Sequence, residues 1–349
     1  MKPTRIQSIA LWCITCTVLS LGTLSASAAG YSIVAHISGG AGGAWDYAVV
    51  DPASGKLYLA QAGITSLDLK SQVVTTGLVH ANVSHGVAIL GDGRLAVDDS
   101  KTKDILVFNS SGKILASIPT ALDNPVSGMH ALDALVFEPH SGLLAAVNGE
   151  SGLLLLIDVT QARVVGKIAV GGHPEFAAAD GLGTVFMNVT RGKRSEIVGI
   201  DINARSIVKH YPLSGCEDAT GLAYDTSQHL LMAVCNNGLF KVIDAVNGKM
   251  AASIRVGGGA DGVMWDPKRR IAFVASGDSG TLSVIRVRSA SDAALAQVLP
   301  TQKGTRLGAI DVDTGVLYLP AANFGPPKPP SPYPAVVQGS FEFLMIASN

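Results

Sequence analysis

Short apolar segments alternate with polar turns along the chain from residue 30 onward. A typical unit has an apolar run that ends in a carboxylate, a polar turn and a second apolar run, as in residues 45–51 followed by 55–59. Runs of this length, rich in β-branched residues and bounded by turn residues, indicate strands. The pattern therefore predicts an all-β chain of short antiparallel strands.

The unit occurs seven times. The residues that end its first apolar run, here called the anchor residues, are Asp51, Leu90, Glu138, Asp180, Asp225, Asp266 and Asp311. Their successive spacings are 39, 48, 42, 45, 41 and 45 residues. Each unit also carries a second pair of apolar runs, which makes four strands per unit. Repeats of this length and strand count are typical of propellers, so the sequence predicts a seven-bladed β-propeller of four-stranded antiparallel blades.

The last unit lacks its fourth strand, because the chain ends soon after the apolar run 341–346. A spare strand lies at the other end of the chain, at residues 31–37, and it is similar to the outer runs 167–170 and 253–256. We expect this N-terminal strand to complete the last blade. Such closure would remove the open edge of the ring.

The first 28 residues have the organisation of a secretory signal peptide. Lys2 and Arg5 precede an apolar run over residues 9–24, and Ala26-Ser27-Ala28 forms a small-x-small cleavage site. The small residues and the lack of flanking charge favour cleavage over a retained anchor helix. We therefore expect an exported protein, periplasmic or secreted, with no membrane span after removal of residues 1–28 and a single propeller domain over 29–349.

Composition excludes disorder, because 48% of the residues are hydrophobic and only 15% are charged. Of the 26 basic residues, Lys2 and Arg5 lie in the leader, which holds none of the 27 acidic residues, so the remainder carries a net charge of −3. Its Lys and Arg residues are scattered. Nucleic-acid binding is therefore not expected, since that function requires a basic stripe.

Residues 85–97, His-Gly-Val-Ala-Ile-Leu-Gly-Asp-Gly-Arg-Leu-Ala-Val, resemble the H-G-V-A-x-x-P-D-G repeat of the YVTN-repeat propellers, which include the YncE-like periplasmic proteins. Residues 261–267 and 144–148 follow the same repeat more loosely. The resemblance implies a monomeric, non-enzymatic binding or scaffold protein for a small polar ligand or a periplasmic protein partner. No cofactor is strongly implied.

One end of the central channel is expected to be polar, because strand 1 of each blade lines the axis of a propeller. The residues five positions before the anchors are Asp46, His85, Asp133, Glu175, Thr220, Asp261 and Arg306. This set is typical of a cation or polar-ligand site, or of an acid/base set. The alternative is that these side chains only hydrate the mouth of the channel.

A second hypothesis is a lactonase-like hydrolase, possibly assisted by a metal ion. Its base would be His85, its acid/base partner Glu175, and Arg306 would stabilise an oxyanion. Three histidines, His85, His130 and His173, precede strand 1 of successive blades and are candidate metal ligands. They lie five, eight and seven residues before their anchors, so they need not converge.

Two further features are expected to shape the exported chain. Cys216 and Cys235 flank a predicted hairpin and are expected to form a disulfide, the alternative being two free thiols. The segment 321–339 contains six prolines, which favour extended polyproline conformations. It would act as a lid or a partner-docking arm, or be an insertion without a role.

Overall fold

The computed structural model describes residues 30–40, 42–120, 132–327 and 334–349. Over these ranges the chain forms seven four-stranded antiparallel sheets and one two-stranded hairpin, with no helix. The proposed signal peptide, His130 and part of the proline-rich loop lie outside the described residues. In the ranges described, no helix is long and apolar enough to cross a membrane.

The strands follow the chain in order around the ring, except for the first. Strand β1 (Tyr31–Ser38) belongs to blade 7. Blade 1 contains β2 (Ala48–Asp51), β3 (Lys56–Ala60), β4 (Gly63–Asp68) and β5 (Val74–His80), and blade 2 contains β6 (Val87–Ile89), β7 (Arg94–Asp99), β8 (Asp104–Asn109) and β9 (Ile114–Pro119). Blade 3 contains β10 (Leu135–Glu138), β11 (Leu143–Asn148), β12 (Leu153–Asp158) and β13 (Arg163–Ala169), and blade 4 contains β14 (His173–Ala179), β15 (Thr184–Arg191), β16 (Arg194–Asp201) and β17 (Ser206–Pro212).

The remaining blades follow the same plan. Blade 5 contains β18 (Ala219–Asp225), β19 (Leu230–Cys235), β20 (Leu239–Asp244) and β21 (Met250–Arg255), and blade 6 contains β22 (Met264–Asp266), β23 (Ile271–Ser276), β24 (Thr281–Ser289) and β25 (Asp292–Pro300). Blade 7 contains β26 (Ala309–Asp311), β27 (Val316–Ala321) and β30 (Glu342–Ser348). Strands β28 (Phe324–Pro327) and β29 (Pro334–Val336) form a hairpin between β27 and β30.

Strand β1 closes the ring, as the sequence predicts. It is the outermost strand of blade 7 and pairs antiparallel with β30, from Tyr31 opposite Ser348 to Ser38 opposite Glu342. The first and last strands of the described chain therefore meet in one sheet. The backbone N–H of Asn349 donates to the carbonyl of Gly30 at 2.7 Å, which extends this pairing by one residue.

The hydrophobic core lies between the blades rather than within any one of them. Seven clusters of buried side chains fill the seven gaps between neighbouring blades. Strands packed on both faces read as continuous apolar runs, and β11 (Leu143–Asn148) is buried over Leu144–Val147. Outer strands have one solvent-exposed face, so β21 (Met250–Arg255) alternates between half-buried and exposed residues.

The anchor carboxylates hold the turn that joins strand 1 to strand 2 in six of the seven blades, the exception being blade 2, whose anchor is Leu90. Glu138 accepts hydrogen bonds from the backbone N–H groups of His140 and Ser141, at 3.0 and 2.6 Å, and it also accepts one from Gly183 of blade 4 at 3.2 Å. The equivalent Asp225 accepts a charge-assisted hydrogen bond from Arg270 of blade 6 at 2.6 Å. The anchors therefore connect neighbouring blades as well as capping turns.

The predicted disulfide between Cys216 and Cys235 is present, and both residues are buried. Cys216 lies in the loop that leads into β18, and Cys235 ends β19 opposite Ala219. The bond therefore ties the open ends of the β18–β19 hairpin together at the face of the ring that carries the channel mouth.

The proline-rich loop differs from the expected polyproline segment in its described part. Residues 324–327 and 334–336 pair as an antiparallel hairpin, with Phe324 opposite Val336 and Pro327 opposite Pro334. Prolines are tolerated here because a two-stranded sheet has only edge strands, on which a missing N–H donor can face solvent. Residues 328–333 lie outside the described ranges.

Candidate functional site at the channel mouth

Six of the seven predicted mouth residues lie within electrostatic range of one another. The pKa of Asp46 responds to the charges of four other residues, which are Asp261, His85, Arg306 and Glu175. The pKa of Asp133 responds to the charges of Glu175, Asp46 and Asp261, so Asp133 belongs to the same group. We call Asp46, His85, Asp133, Glu175, Asp261 and Arg306 the mouth cluster. Each member comes from a different blade, because the first strands of all blades converge on the axis.

The seventh predicted residue, Thr220, is buried within β18 (Ala219–Asp225) and is used by the fold. Its hydroxyl donates to the backbone carbonyl of Ala260 in the neighbouring blade at 2.9 Å. Its own carbonyl accepts a hydrogen bond from the Asn188 amide at 2.9 Å. Thr220 therefore connects blades 4, 5 and 6 just below the mouth.

Three carboxyl groups of the mouth cluster have raised pKa values. Burial and then the neighbouring Asp261 raise the pKa of Asp46 to about 8. Burial, followed by Glu175 and Asp46, places the pKa of Asp133 well above its usual range. Burial also raises the pKa of Asp261 to about 6, although Arg306 opposes this shift. The mouth therefore holds more acidic groups than it can ionise together at neutral pH.

The cations of the cluster do not balance these acids. Arg306 forms an ion pair with Asp261, with 3.1 Å between Nε and Oδ2. His85 contributes at most one further positive charge, against four carboxyl groups. Within the mouth cluster, four acids therefore face one guanidinium and one imidazole, and ionisation of the ring leaves an excess of negative charge.

His85 is held by a residue that the sequence analysis missed, Asp98 at the end of β7 (Arg94–Asp99). One Asp98 oxygen accepts the backbone N–H groups of His85 and Gly86 at 2.7 and 2.8 Å, and the other lies 3.6 Å from His85 Nδ1. Ser100 donates to Asp98 at 2.7 Å. Burial lowers the pKa of His85, but Asp98 and then Asp46 outweigh this effect and raise it overall. The sequence signal for Asp98 is a pair of aspartates that directly follows the apolar run 95–97.

Of the three candidate metal ligands, His85 and His173 each lie beside a different carboxylate. His85 lies against Asp98, and His173 begins β14 (His173–Ala179) with its Nδ1 3.5 Å from Glu175 Oε2. His130 falls outside the described residues. Within the described ranges, no group of three or more His, Cys, Asp or Glu side chains has an arrangement that could hold a metal ion.

An aromatic layer lies directly below the mouth cluster. Tyr47 of blade 1 and Phe176 of blade 4 meet across the channel, with ring centroids 4.6 Å apart. Burial and then Asp133 hold the pKa of Tyr47 well above its usual range. The seven residues at this level, each one position after a mouth residue, are Tyr47, Gly86, Ala134, Phe176, Gly221, Gly262 and Leu307. Three of these residues, Tyr47, Phe176 and Leu307, are large, and the other four are glycine or alanine. This contrast in the sequence indicates a few large side chains that fill the channel at this level.

A cavity of about 300 Å³ continues along the channel from this layer. Its wall is formed by first strands of the blades, through residues such as Val49, Val87, Leu135, Val263 and Ile310. Tyr47 is the one residue of this lining that carries a hydroxyl group. We call this space the apolar chamber. The aromatic layer thus separates an acidic mouth from an apolar interior.

The proline-rich hairpin is attached beside the mouth. The ring of Phe324 lies 5.8 Å from the ring of Trp45, which directly precedes Asp46. It also packs on Gly304, where a Cβ atom would collide with the Phe324 ring. The base of the hairpin is therefore fixed at blades 7 and 1, on the face where the mouth cluster opens.

Asp46 gives a test of this electrostatic picture. Its folded-state pKa of about 8 lies above the ordinary value of 3.8, so the folded state binds more protons and loses stability as the pH rises from 4 to 8. We expect Asp46→Asn to remove this loss and raise the free energy of unfolding at pH 8 by about 2 kcal/mol, after solvent screening at the mouth is allowed for. Urea unfolding at pH 5 and pH 8 measures the effect.

The control for this prediction is Asp292→Asn, which removes an exposed carboxylate from the outer part of blade 6. That variant should keep the wild-type dependence of stability on pH. The electrostatic picture is wrong if Asp46→Asn loses stability between pH 5 and pH 8 as steeply as the wild type.

Comparisons with known proteins bear on the fold. No family model matches the sequence, and no curated protein is significantly similar to it. A chain of the hydrazine synthase of Kuenenia stuttgartiensis is similar in structure, with a TM-score of 0.68 and 15% identity over 83% of this chain and 96% of that one. A chain of the mitotic checkpoint complex has a TM-score of 0.71 and 12% identity over 99% of both chains. At these identities the likeness establishes the propeller fold alone.

Proposed function

We propose that this protein is an exported, YncE-like binding propeller that takes a small, positively charged organic ligand at its channel mouth. The observation that carries the proposal is the mouth cluster, in which four carboxyl groups from separate blades converge on one guanidinium and one imidazole. The repeat at residues 85–97 and the organisation of residues 1–28 support the family and the export. The disulfide is compatible with an oxidising compartment.

A cation is the ligand charge that this mouth favours. Burial and then the acidic neighbours raise the pKa values of Asp46 and Asp133, and a bound ammonium group would stabilise the ionised forms of both. The aromatic faces of Tyr47 and Phe176 directly below would add a favourable contact for a cation. An organic cation suits the geometry better than a metal ion, because the described carboxylates are not grouped as metal ligands.

The hydrolase hypothesis has less support from the site. Arg306, the proposed oxyanion group, is paired with Asp261, and Glu175, the proposed acid/base group, lies against His173. The contact between Asp98 and His85 is the feature that favours it, since a buried carboxylate commonly orients a catalytic histidine. His85→Ala separates the two functions, because lactone hydrolysis that survives this change would exclude His85 as the base.

Binding of ethylammonium, followed by isothermal titration calorimetry, tests the proposal. An alkylammonium ion stays charged at pH 5 and pH 8, whereas the acids of the mouth titrate between these values, with pKa values of about 6 for Asp261 and about 8 for Asp46. We expect affinity at pH 8 to exceed that at pH 5 by roughly tenfold, in line with about 1.4 kcal/mol of charge interaction.

Asp133→Asn is the variant that removes one mouth carboxylate while keeping its shape. We expect it to weaken ethylammonium binding at pH 8 by at least about tenfold, because the bound cation would ionise Asp133 and a hydrogen bond with a charged group is a strong one. Asp292→Asn is the matched control and should bind as the wild type does. Equal affinity in Asp133→Asn and the wild type would contradict the proposal.

A further inference from the structure

The apolar chamber is closed on the side of the mouth cluster. Tyr47 and Leu307 belong to one buried cluster and Phe176 packs against it, so the large side chains of the aromatic layer meet across the channel. Gly86 and Gly262 leave no gap in this layer, because atoms of the neighbouring blade lie 2.4 and 2.8 Å from where their Cβ atoms would stand. The chamber is therefore a space of its own, separate from the mouth.

The chamber reaches the opposite face of the ring, here called the far face. Val50, Ile89 and Ile310 line it, and each lies one position before an anchor, where strand 1 ends. All three are half-buried, whereas the anchors Asp51 and Leu90 beside them are buried. Among the described residues, the lining includes none from the turns that follow the anchors. No described turn therefore covers this end of the chamber, and its walls meet solvent at the far face.

The lining of the chamber favours an uncharged and largely apolar occupant. It contains no charged side chain, and moving a charge into such surroundings is costly unless a partner neutralises it. The volume of about 300 Å³ exceeds the roughly 150 Å³ of an apolar cavity that holds benzene, and it reaches the range of small-molecule sites, roughly 300–1,000 Å³. The chamber is therefore large enough for a hydrocarbon body of one or two rings.

We infer that the apolar chamber is a second binding site, which takes a small uncharged molecule with a hydrocarbon or aromatic body from the far face. The aromatic layer separates this site from the cation site proposed at the mouth. Transfer of hydrocarbon out of water drives binding, since water in an apolar cavity finds few hydrogen-bond partners. The walls are first strands, each held in its own four-stranded sheet, so the cavity exists before the ligand arrives.

Isothermal titration calorimetry with benzene, toluene and ethylbenzene tests the inference on the wild-type protein. We expect all three to bind, with affinity rising about three- to fourfold for each added carbon, as for burial of hydrocarbon. Benzoate should bind at least about tenfold more weakly than toluene, because its charge would lose water without gaining a partner. Saturating ethylammonium should leave the affinity for ethylbenzene unchanged, since the two ligands would occupy separate spaces.

Two variants and one measurement place the bound molecule. Val49→Phe and Val263→Phe each put a larger side chain into the chamber, from blades 1 and 6, and should weaken ethylbenzene binding by at least about tenfold without changing ethylammonium binding. Val73→Phe makes the same change at an exposed position and should bind ethylbenzene as the wild type does. In the wild type, nuclear Overhauser effects should connect ethylbenzene to the methyl groups of Val263 and Ile310.

Three results would overturn the inference. The first is that none of the alkylbenzenes binds. The second is that ethylbenzene binds without Overhauser effects to Val263 and Ile310, or with full affinity in folded Val49→Phe and Val263→Phe, because its site would then lie elsewhere. The third is that saturating ethylammonium displaces ethylbenzene, because the mouth and the chamber would then be one site. Failure of ethylammonium itself to bind would overturn the proposed function and leave the chamber site standing.

Discussion

A protein from which residues 30–38 are deleted, with residues 1–29 retained, is expected to fail to fold as a monomer. These residues form β1, which completes blade 7 and buries Tyr31 and Ile37. Each buried side chain of this size contributes about 1.5–3 kcal/mol, and the lost pairing with β30 adds to this cost, within a total stability of roughly 5–15 kcal/mol. The exposed edge of β30 would also favour self-association. Size-exclusion chromatography and circular dichroism measure the outcome.

A circular permutant provides the positive control for this deletion. Asn349 and Gly30 are hydrogen-bonded neighbours, so a short glycine linker from Asn349 to Gly30 allows β1 to follow β30 in a chain that begins at residue 39. We expect this permutant to fold as a monomer with nearly wild-type stability. Replacing residues 325–336 of the hairpin with a short linker should also leave the fold intact. A stable monomer lacking residues 30–38 would contradict the closure of the ring by β1.

Removal of the disulfide in the double variant Cys216→Ala and Cys235→Ala is expected to lower the free energy of unfolding by about 3 kcal/mol. The two cysteines are 19 residues apart, and a crosslink over a loop of this size restricts the unfolded chain by roughly that amount. Urea unfolding of the oxidised wild type and the double variant gives the difference. The fold should persist, because both positions lie in the hydrophobic cluster between blades 4 and 5, where alanine is also an apolar residue.

Reduction supplies the matched comparison for the disulfide. With a thiol reductant present throughout unfolding, wild-type stability should fall to that of the double variant, whose own stability should not respond to the reductant. If the oxidised wild type and the double variant unfold at the same urea concentration, the bond does not stabilise the fold.

The architecture is readable from the sequence because a propeller repeats one local pattern. Each anchor residue is recognisable from its place between an apolar run and a turn, and its spacing sets the number of blades. Closure by β1 follows from counting strands, since the last blade has only three strands from its own repeat and the N-terminal strand belongs to no other blade. The hairpin at residues 324–336 was not predicted, because its pairing depends on contacts such as Phe324 with Trp45 that join distant segments.

The convergence of the mouth cluster was predictable from the sequence, but the contacts of its members were not. Counting five residues back from each anchor found the six members of the mouth cluster, because every first strand runs along the same axis. The same count could not show that Thr220 turns its hydroxyl to a backbone carbonyl, since a neighbouring blade supplies that partner. Asp98 was missed because it lies on a second strand, and only folding brings it beneath His85.

The most direct test of a cation site at the channel mouth is the number of protons released when ethylammonium binds. Titration calorimetry at pH 7 in two buffers of different ionisation enthalpy gives this number. Because Asp46 has a pKa of about 8, a bound cation should ionise it, and a substantial fraction of one proton should be released per ligand. The release should shrink in Asp46→Asn and remain unchanged in Asp292→Asn. Binding without proton release, or no binding at all, would contradict the account.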